Sequence, residues 1–506
     1  MNKTGIICSV SLLSTVVISC SEREKLPKQP NIIYILADDL GYGELGCYGQ
    51  KKIETPNIDQ LAAKGMCFMH HYSGSPVSAP TRCITFTGLH SGHAYIRGND
   101  AMAAERGGIM SHAAMLADST LEGQRPLPAG TICFPSLLQK AGYTTGCVGK
   151  WGLGYPGSES TPNKMGFDFF FGYNCQAQAH TYYPPFLYRN ERREYLPNTL
   201  LPPGTKLDEG ADPYDEKSYT KYTQKVYSPD LMYDEILKFV DSNCDKPFFL
   251  AWTTTLPHVA LQAPERWVKY YIEKFGFEEP YLGEQGYFPC RYPHATYAAM
   301  VSYLDEQVGG LIEKLKELGI YENTVIVFTS DNGPTFNGGT NSPWFDSAHP
   351  FKSERFWGKE SLREGGIRVP MIVTWEGKIK PNTQSNHICA AWDIMSTVCE
   401  LANTEVSQND GISFVPELLG KKQKDHEYLY WEFSEGPGSK AIRMGKWKGL
   451  ILNIHREGET NMMLFDLEAD PREQNDIASE HPDIIKTMRE KMAEAHEVPV
   501  VSRFAL

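Results

Sequence analysis

Asn31-Ile32-Ile33-Tyr34-Ile35-Leu36-Ala37-Asp38-Asp39-Leu40-Gly41-Tyr42-Gly43 begins as an unbroken apolar run and ends on two adjacent carboxylates in a glycine turn. A run that is apolar at every position, rather than at every second one, predicts a strand buried on both faces, the habit of parallel sheets covered by helices. Ile32–Leu36 is the first such run, and Thr144–Val148, Phe248–Trp252, Thr324–Phe328 and Met371–Thr374 repeat the pattern. Between them, amphipathic stretches predict helices over Asn57–Lys64, Pro80–Thr87, Phe134–Ala141, Asp230–Ser242 and Ala295–Leu318. The fold class is therefore α/β, with a large, mostly parallel central sheet flanked by helices. In such sheets ligands bind beyond the carboxyl ends of the strands. Residues just after each run are where chemistry is expected.

The chain has 506 residues, 41% hydrophobic and 22% charged, enough at about 150 residues per domain for two to four domains. Its net charge is −13, which argues against a basic surface for phosphate backbones and so against nucleic acid as a partner. Twelve cysteines without a CxxC pair suggest neither a disulfide scaffold nor a zinc ribbon. Mostly buried free thiols, with at most one bridge, are expected.

The start of the chain reads as an export signal. Lys3 precedes the apolar run Ile6–Ile18, and Val17-Ile18-Ser19-Cys20 resembles the cleavage and lipidation site of a bacterial lipoprotein. The run is too short for a membrane span of about 20 residues, so a lipid on Cys20 would be the only membrane contact. Plain secretion with cleavage near Ser19 is the alternative. A signal peptide at 1–19 and a charged, proline-flanked tether at 20–30 are expected, placing the protein in the periplasm or at the outer membrane of a Gram-negative bacterium.

Two strand ends carry hard oxygen ligands: Asp38 and Asp39 after the first run, Asp331 and Asn332 after Thr324–Phe328. Taken singly, such Asp-Gly and Asn-Gly clusters simply make turns. Brought together, they form the donor set of calcium or magnesium. Between them lies Ser75-Pro76-Val77-Ser78-Ala79-Pro80-Thr81-Arg82-Cys83-Ile84-Thr85-Phe86-Thr87-Gly88. Pro80 suits the first position of a helix, which would put Ser78 at the positive end of its dipole, where an anion is favoured.

The pattern Ser78-x-Pro80-x-Arg82, followed by Thr87-Gly88, resembles the signature of the formylglycine-dependent sulfatases, serine type, of the alkaline-phosphatase-like superfamily. The resemblance extends from about Asn31 to Ala478. Gly149-Lys150-Trp151-Gly152-Leu153-Gly154, Thr254-Thr255-Leu256-Pro257-His258, Gly358-Lys359, Glu364-Gly365-Gly366-Ile367-Arg368-Val369-Pro370 and Leu464-Phe465-Asp466-Leu467 all look like family elements in the family's order. It implies a catalytic sulfatase domain over 31–380 and a smaller C-terminal subdomain over 381–506. There a helix at Ala391–Asn403 would precede short strands at Tyr428–Phe433, Ala441–Met444, Trp447–Leu452 and Met463–Asp466 and a closing helix at Pro482–His496.

The chemistry the resemblance implies is sulfuric ester hydrolysis. Ser78 would be oxidised to formylglycine (3-oxoalanine) by a radical-type maturating enzyme. The aldehyde hydrate offers two hydroxyls on one carbon, one to attack sulfur and one to expel it, where serine alone is a poor nucleophile. Asp38, Asp39, Asp331 and Asn332, with residue 78, would hold one Ca2+. Lys150 and Lys359 would neutralise sulfate oxygens, Arg82 would steady the diol, and His258 would protonate the departing alcohol. One departure stands out: Gly152 replaces the family's usual histidine, and His180 is the residue expected to supply the missing contact or to grip the sugar. His90, His93, Arg97, Asn99, the run Tyr182-Tyr183-Pro184-Pro185-Phe186, Trp344 and Trp357 offer rings and polar forks for a sugar, with Arg97 and Asn99 the expected contacts. The expected substrate is a sulfated glycan carrying the ester on galactose or N-acetylgalactosamine, at ring position 4. Two other readings are open: a phosphatase or phosphodiesterase using Ser78 directly, and an inactive glycan-binding lipoprotein.

Overall fold

A computed structural model of the chain describes residues 29–101, 112–406 and 408–506. The signal, Cys20 and most of the tether lie outside the described residues. Ten strands form one sheet: β1 Asn31–Ala37, β2 Met66–Tyr72, β3 Thr144–Lys150, β4 Phe169–Tyr173, β5 Phe186–Arg189, β6 Arg192–Tyr195, β7 Phe248–Thr253, β8 Thr324–Ser330, β9 Met371–Thr374 and β10 Thr383–Ala390. Their spatial order is β10-β2-β9-β8-β1-β7-β3-β4-β5-β6.

Pairing is parallel through the centre, β8-β1-β7-β3-β4, and between β10 and β2. β9, expected to continue the parallel set, runs antiparallel to both β8 and β2. An apolar run reports burial on two faces, and a strand of either direction satisfies that. β10 lies beyond the boundary expected at 380, yet it pairs with β2 in the main sheet.

β1 shows why the opening run decides the architecture. Ile32, Tyr34 and Leu36 enter the core on one side of the sheet, and Ile33, Ile35 and Ala37 enter the core on the other. All six are at most 1% exposed. At about 1.5–3 kcal/mol for each buried Ile or Leu side chain, only a strand covered on both faces collects this stabilisation. Helices Pro56–Lys64, Ser228–Ser242 and Pro293–Glu317 supply much of one cover, and α-helices Ser78–Thr87, Phe134–Lys140 and Asp393–Leu401 much of the other.

Near the C-terminus β11 Leu429–Phe433, β12 Ser439–Met444, β13 Trp447–Leu452 and β14 Met462–Asp466 form a four-stranded antiparallel sheet. Helix Pro482–Ala495 packs Met488 and Met492 on Tyr430, Ile442, Ile451 and Leu464. A buried charge cluster joins this sheet to the main body: Lys448 of β13 meets Glu364 at 2.9 Å and Glu473 at 3.0 Å. The ten described cysteines are all free thiols. Among the described residues no helix is long and apolar enough to cross a membrane.

Candidate active site

Register brings the acidic turns together. In the parallel ladder Ala37 of β1 stands opposite Ser330 of β8, so Asp38 and Asp331 leave the sheet side by side. Asp331 donates its N–H to the Ala37 carbonyl (3.0 Å), and Asp39 and Leu40 donate theirs to Asp331 Oδ1 (3.1 Å) and Ser330 Oγ (3.0 Å). Asp39 holds a left-handed φ of 65° to turn back into this cluster, a conformation that aspartate tolerates better than most residues.

Helix Ser78–Thr87 presents Ser78 in its first turn. It begins at Ser78, two residues earlier than expected. Pro80 still fits, because the N–H groups of a first turn have no intrahelical acceptor. Gly88, at φ 69°, ends the helix, its N–H bonded to the Ile84 carbonyl. Ser78 Oγ donates to Asp38 Oδ1 at 3.1 Å.

Three cations converge on the carboxylates. Lys150, the last residue of β3, places Nζ 2.6 Å from Asp38 Oδ2 and 3.4 Å from Ser78 Oγ. Arg82 spreads one nitrogen between Asp331 (3.2 Å) and Asp38 (3.4 Å) and donates the other to the Lys150 carbonyl (2.7 Å). Lys359 reaches Asp39 Oδ1 at 2.7 Å. Its side chain, 14% exposed where those of Asp38, Asp39, Arg82 and Lys150 are at most 1%, marks the more open side. Three buried carboxylates thus face three cations.

Burial pushes the Asp331 carboxyl up to about 7, reinforced by Asp38 beside it. Burial would raise Asp38 too, but Lys150, His258, Arg82 and Lys359 together hold it well below the usual carboxylate range. Burial, aided by Lys359, keeps the His258 imidazole far below its ordinary value. His258 Nδ1 donates to the Val259 carbonyl, leaving Nε2, 3.6 Å from Asp39 Oδ2, as the atom able to exchange a proton with the cluster. Tyr182 fixes this loop with its one hydroxyl proton shared between the carbonyls of Thr255 and His258, both at 2.6 Å.

The donor chemistry fits a hard divalent cation. Ligand atoms of Asp38, Asp39 and His258 lie within 4.8 Å of one another. Asn332 donates Nδ2 to Asp39 Oδ1 at 2.7 Å, while its buried Oδ1 has no partner, as a carbonyl oxygen awaiting a cation would.

Of the expected sugar contacts, His180 does reach the site: its ring stacks on His258 with centroids 5.2 Å apart and planes 7° apart. Asn99 is exposed and accepts from the N–H of Ala79, next to Ser78. Arg97 is a correction. It is 3% exposed, and its guanidinium is committed to Glu432 and to the carbonyls of Gly92, Ala94 and Glu497, so it braces the C-terminal sheet. Tyr182, Tyr183 and Phe186 are buried as core. His90 and His93 stack on each other beside Asp410. Trp344 lies under Lys52, and Trp357 is held between Lys352 and Arg363. The space over Gly152 is filled by Gln176, which the sequence reading did not single out. The one signal for it was the glycine itself, a vacancy that some neighbour had to occupy.

The family model Sulfatase matches residues 30–404, and a second, N-sulphoglucosamine sulphohydrolase C-terminal, matches residues 353–498. An N-acetylgalactosamine-6-O-sulfatase of Bacteroides thetaiotaomicron is 28% identical over 517 residues, covering 92% of each protein. The N-acetylgalactosamine-6-sulfatase of Homo sapiens is 29% identical over 433 residues, covering 83% of this chain and 71% of that protein. Among solved structures, Ps i-CgsB superposes with a TM-score of 0.72 at 26% identity over 94% of each chain, and it has also been solved with k-i-k-neocarrahexaose.

Proposed function

Because this chain belongs to the sulfatase family of sulfuric ester hydrolases, we propose that it removes sulfate from a galactose or N-acetylgalactosamine unit of a glycan, using Ser78 after its conversion to formylglycine. The observation that carries this reading is the placement of Ser78 Oγ, 3.1 Å from Asp38 and 3.4 Å from Lys150, among three buried carboxylates. The names of the relatives favour the ester at position 6, and we propose it in place of the position 4 expected from the sequence.

Asp38, Asp39, Asp331 and Asn332 would hold Ca2+, which when bound polarises the sulfate and lowers the pKa of a hydroxyl beside it. Arg82 ties the Asp38 and Asp331 carboxylates to the Lys150 carbonyl and so fixes the floor under residue 78. Lys150 and Lys359 aim ammonium groups where charge collects on the sulfate oxygens. Rigid, desolvated donors of this kind stabilise a developing charge more than mobile water does. His258 Nε2 would exchange the proton of the leaving sugar oxygen. The protein would act after export, anchored through a lipid on Cys20, and would depend on a radical-type maturating enzyme for Ser78.

The test is sulfate release from 4- and 6-sulfated galactose, N-acetylgalactosamine and their oligosaccharides, with protein produced alongside the maturating enzyme. Mass spectrometry of residue 78 belongs to the same experiment. Faster release from the 6-sulfates by protein carrying formylglycine is the expected result. Turnover by protein whose Ser78 is unmodified would overturn the mechanism. Hydrolysis of phosphate esters alone would make it a phosphatase or phosphodiesterase, and sugar binding without turnover a glycan-binding protein.

A further inference from the structure

Gly152 sits two residues past Lys150 with φ at 79°, and a Cβ there would fall 2.7 Å from Gln176 Nε2 and 2.8 Å from Gln176 Cγ. The carboxamide of Gln176 therefore lies directly on the glycine. It is 7% exposed, and its Nε2 has no hydrogen-bond partner. A buried amide donor left unpaired is destabilising, so its persistence calls for a reason. On the same segment Gln178 donates to Glu122 and the Gln176 backbone N–H donates to Gln124 Oε1 at 2.9 Å, while Asn174 Oδ1 is, like Gln176 Nε2, buried without a partner.

The Gln176 segment is also held in place. Gly152 donates its N–H to the Asn174 carbonyl at 3.2 Å, which clamps the Gln176 segment against the end of β3 that carries Lys150. The same short helical turn, Gln176–His180, ends on His180, which stacks against His258. The orphan donor thus lies against the glycine two residues past Lys150 and on the turn whose last residue stacks on His258. A side chain at 152 would push it aside by contact and would itself be strained by the left-handed backbone there.

We propose that Gln176 Nε2 is a binding residue for the sulfate group, donating a hydrogen bond to a sulfate oxygen held beside Ser78 and Lys150. This assigns to Gln176, rather than His180, the contact that Gly152 leaves open. It rests on the sulfatase reading above, and the experiment separates the two.

Gln176→Leu keeps the volume and removes the donor, Gln176→Glu replaces it with an acceptor that repels sulfate, and Gly152→Ala displaces the carboxamide. For each variant and the wild type, kcat and KM on a sulfate ester, the inhibition constant of inorganic sulfate, the thermal midpoint and the formylglycine content of residue 78 are measured. A hydrogen bond to a charged group predicts a fall of about tenfold or more in kcat/KM and a comparable weakening of inorganic sulfate for Gln176→Leu, with a larger loss for Gln176→Glu. Combining Gly152→Ala with Gln176→Leu adds little to either alone. A folded, formylglycine-bearing Gln176→Leu that keeps both constants within about twofold of the wild type would overturn the proposal. So would an altered thermal midpoint with unchanged kinetics, which marks a merely structural amide or one bridged by water to Asn174. If Gln176→Leu does not fold, unchanged sulfate inhibition in Gln176→Glu decides against it. If the wild type hydrolyses no sulfate ester, the sulfatase reading fails by itself, and calorimetric binding of inorganic sulfate still compares Gln176 with its variants.

Discussion

Replacing Lys150 by Met removes one positive charge from the most enclosed part of the site and leaves the stem volume nearly unchanged. Nζ is 2.6 Å from Asp38 Oδ2 and 3.4 Å from Ser78 Oγ, and the side chain is 1% exposed, so no water replaces it cheaply. Two consequences separate by measurement. Loss of one preorganised donor beside a developing negative charge lowers kcat by about 10²–10³-fold, roughly 3–4 kcal/mol. Loss of one partner of a buried ion pair leaves Asp38 with Arg82, 3.4 Å away, and the more distant Lys359, and costs about 3 kcal/mol of folding stability. Steady-state kinetics on a sulfate ester, with formylglycine content quantified, reads the first; urea unfolding reads the second. Lys150→Met that is folded, carries formylglycine and retains kcat within tenfold of the wild type would refute the placement of Lys150 on the sulfate.

Calcium removal by a chelator is expected to lower the thermal midpoint and abolish sulfate release, with calcium restoring both. At a free concentration about 100 times its dissociation constant, the ion adds about 2.7 kcal/mol to stability, and a midpoint indifferent to calcium would count against the site. Lys448→Met, which strands Glu473 and leaves Glu364 to Arg368, 3.1 Å away, in the junction between the two sheets, should cost about 3–5 kcal/mol in chemical unfolding, and adding Glu473→Gln should recover part of it. Burial raises the Glu44 carboxyl from 4.5 to about 7, so the folded protein holds this proton more firmly than the unfolded chain. The stability it gives is complete below about pH 4.5 and is lost as pH rises through about 7; Glu44→Gln should flatten that part of the stability–pH curve, as denaturation at several pH values would show.

Legibility from sequence followed the locality of the physics. Ile32–Leu36 and Thr324–Phe328 declare strands because every residue is apolar, and Pro80 and Gly88 punctuate a helix by what their backbones permit. The direction of β9 was not legible, since burial on two faces does not depend on strand polarity. Arg97 looked like a sugar contact because a guanidinium suits both a ligand and a structural brace; only its partners Glu432 and the surrounding carbonyls distinguish the two. Tyr182 likewise carries a hydroxyl that suits a sugar, and here it pins the His258 loop.

Local physics made the layered architecture and the strand ends that carry oxygen ligands legible in the sequence, because apolar runs and turn residues act over a few neighbours. Ser78, Arg82, Lys150 and Lys359 stood out only through the resemblance of their motifs to the sulfatase signature. Tertiary structure alone decided that Ala37 stands opposite Ser330, and hence that Asp38 and Asp331 share one arginine. It also decided that Gln176 lies on Gly152. Contacts between segments far apart in the chain depend on ladder register and on which side chain fills a given space, and both are settled only when the whole core packs at once.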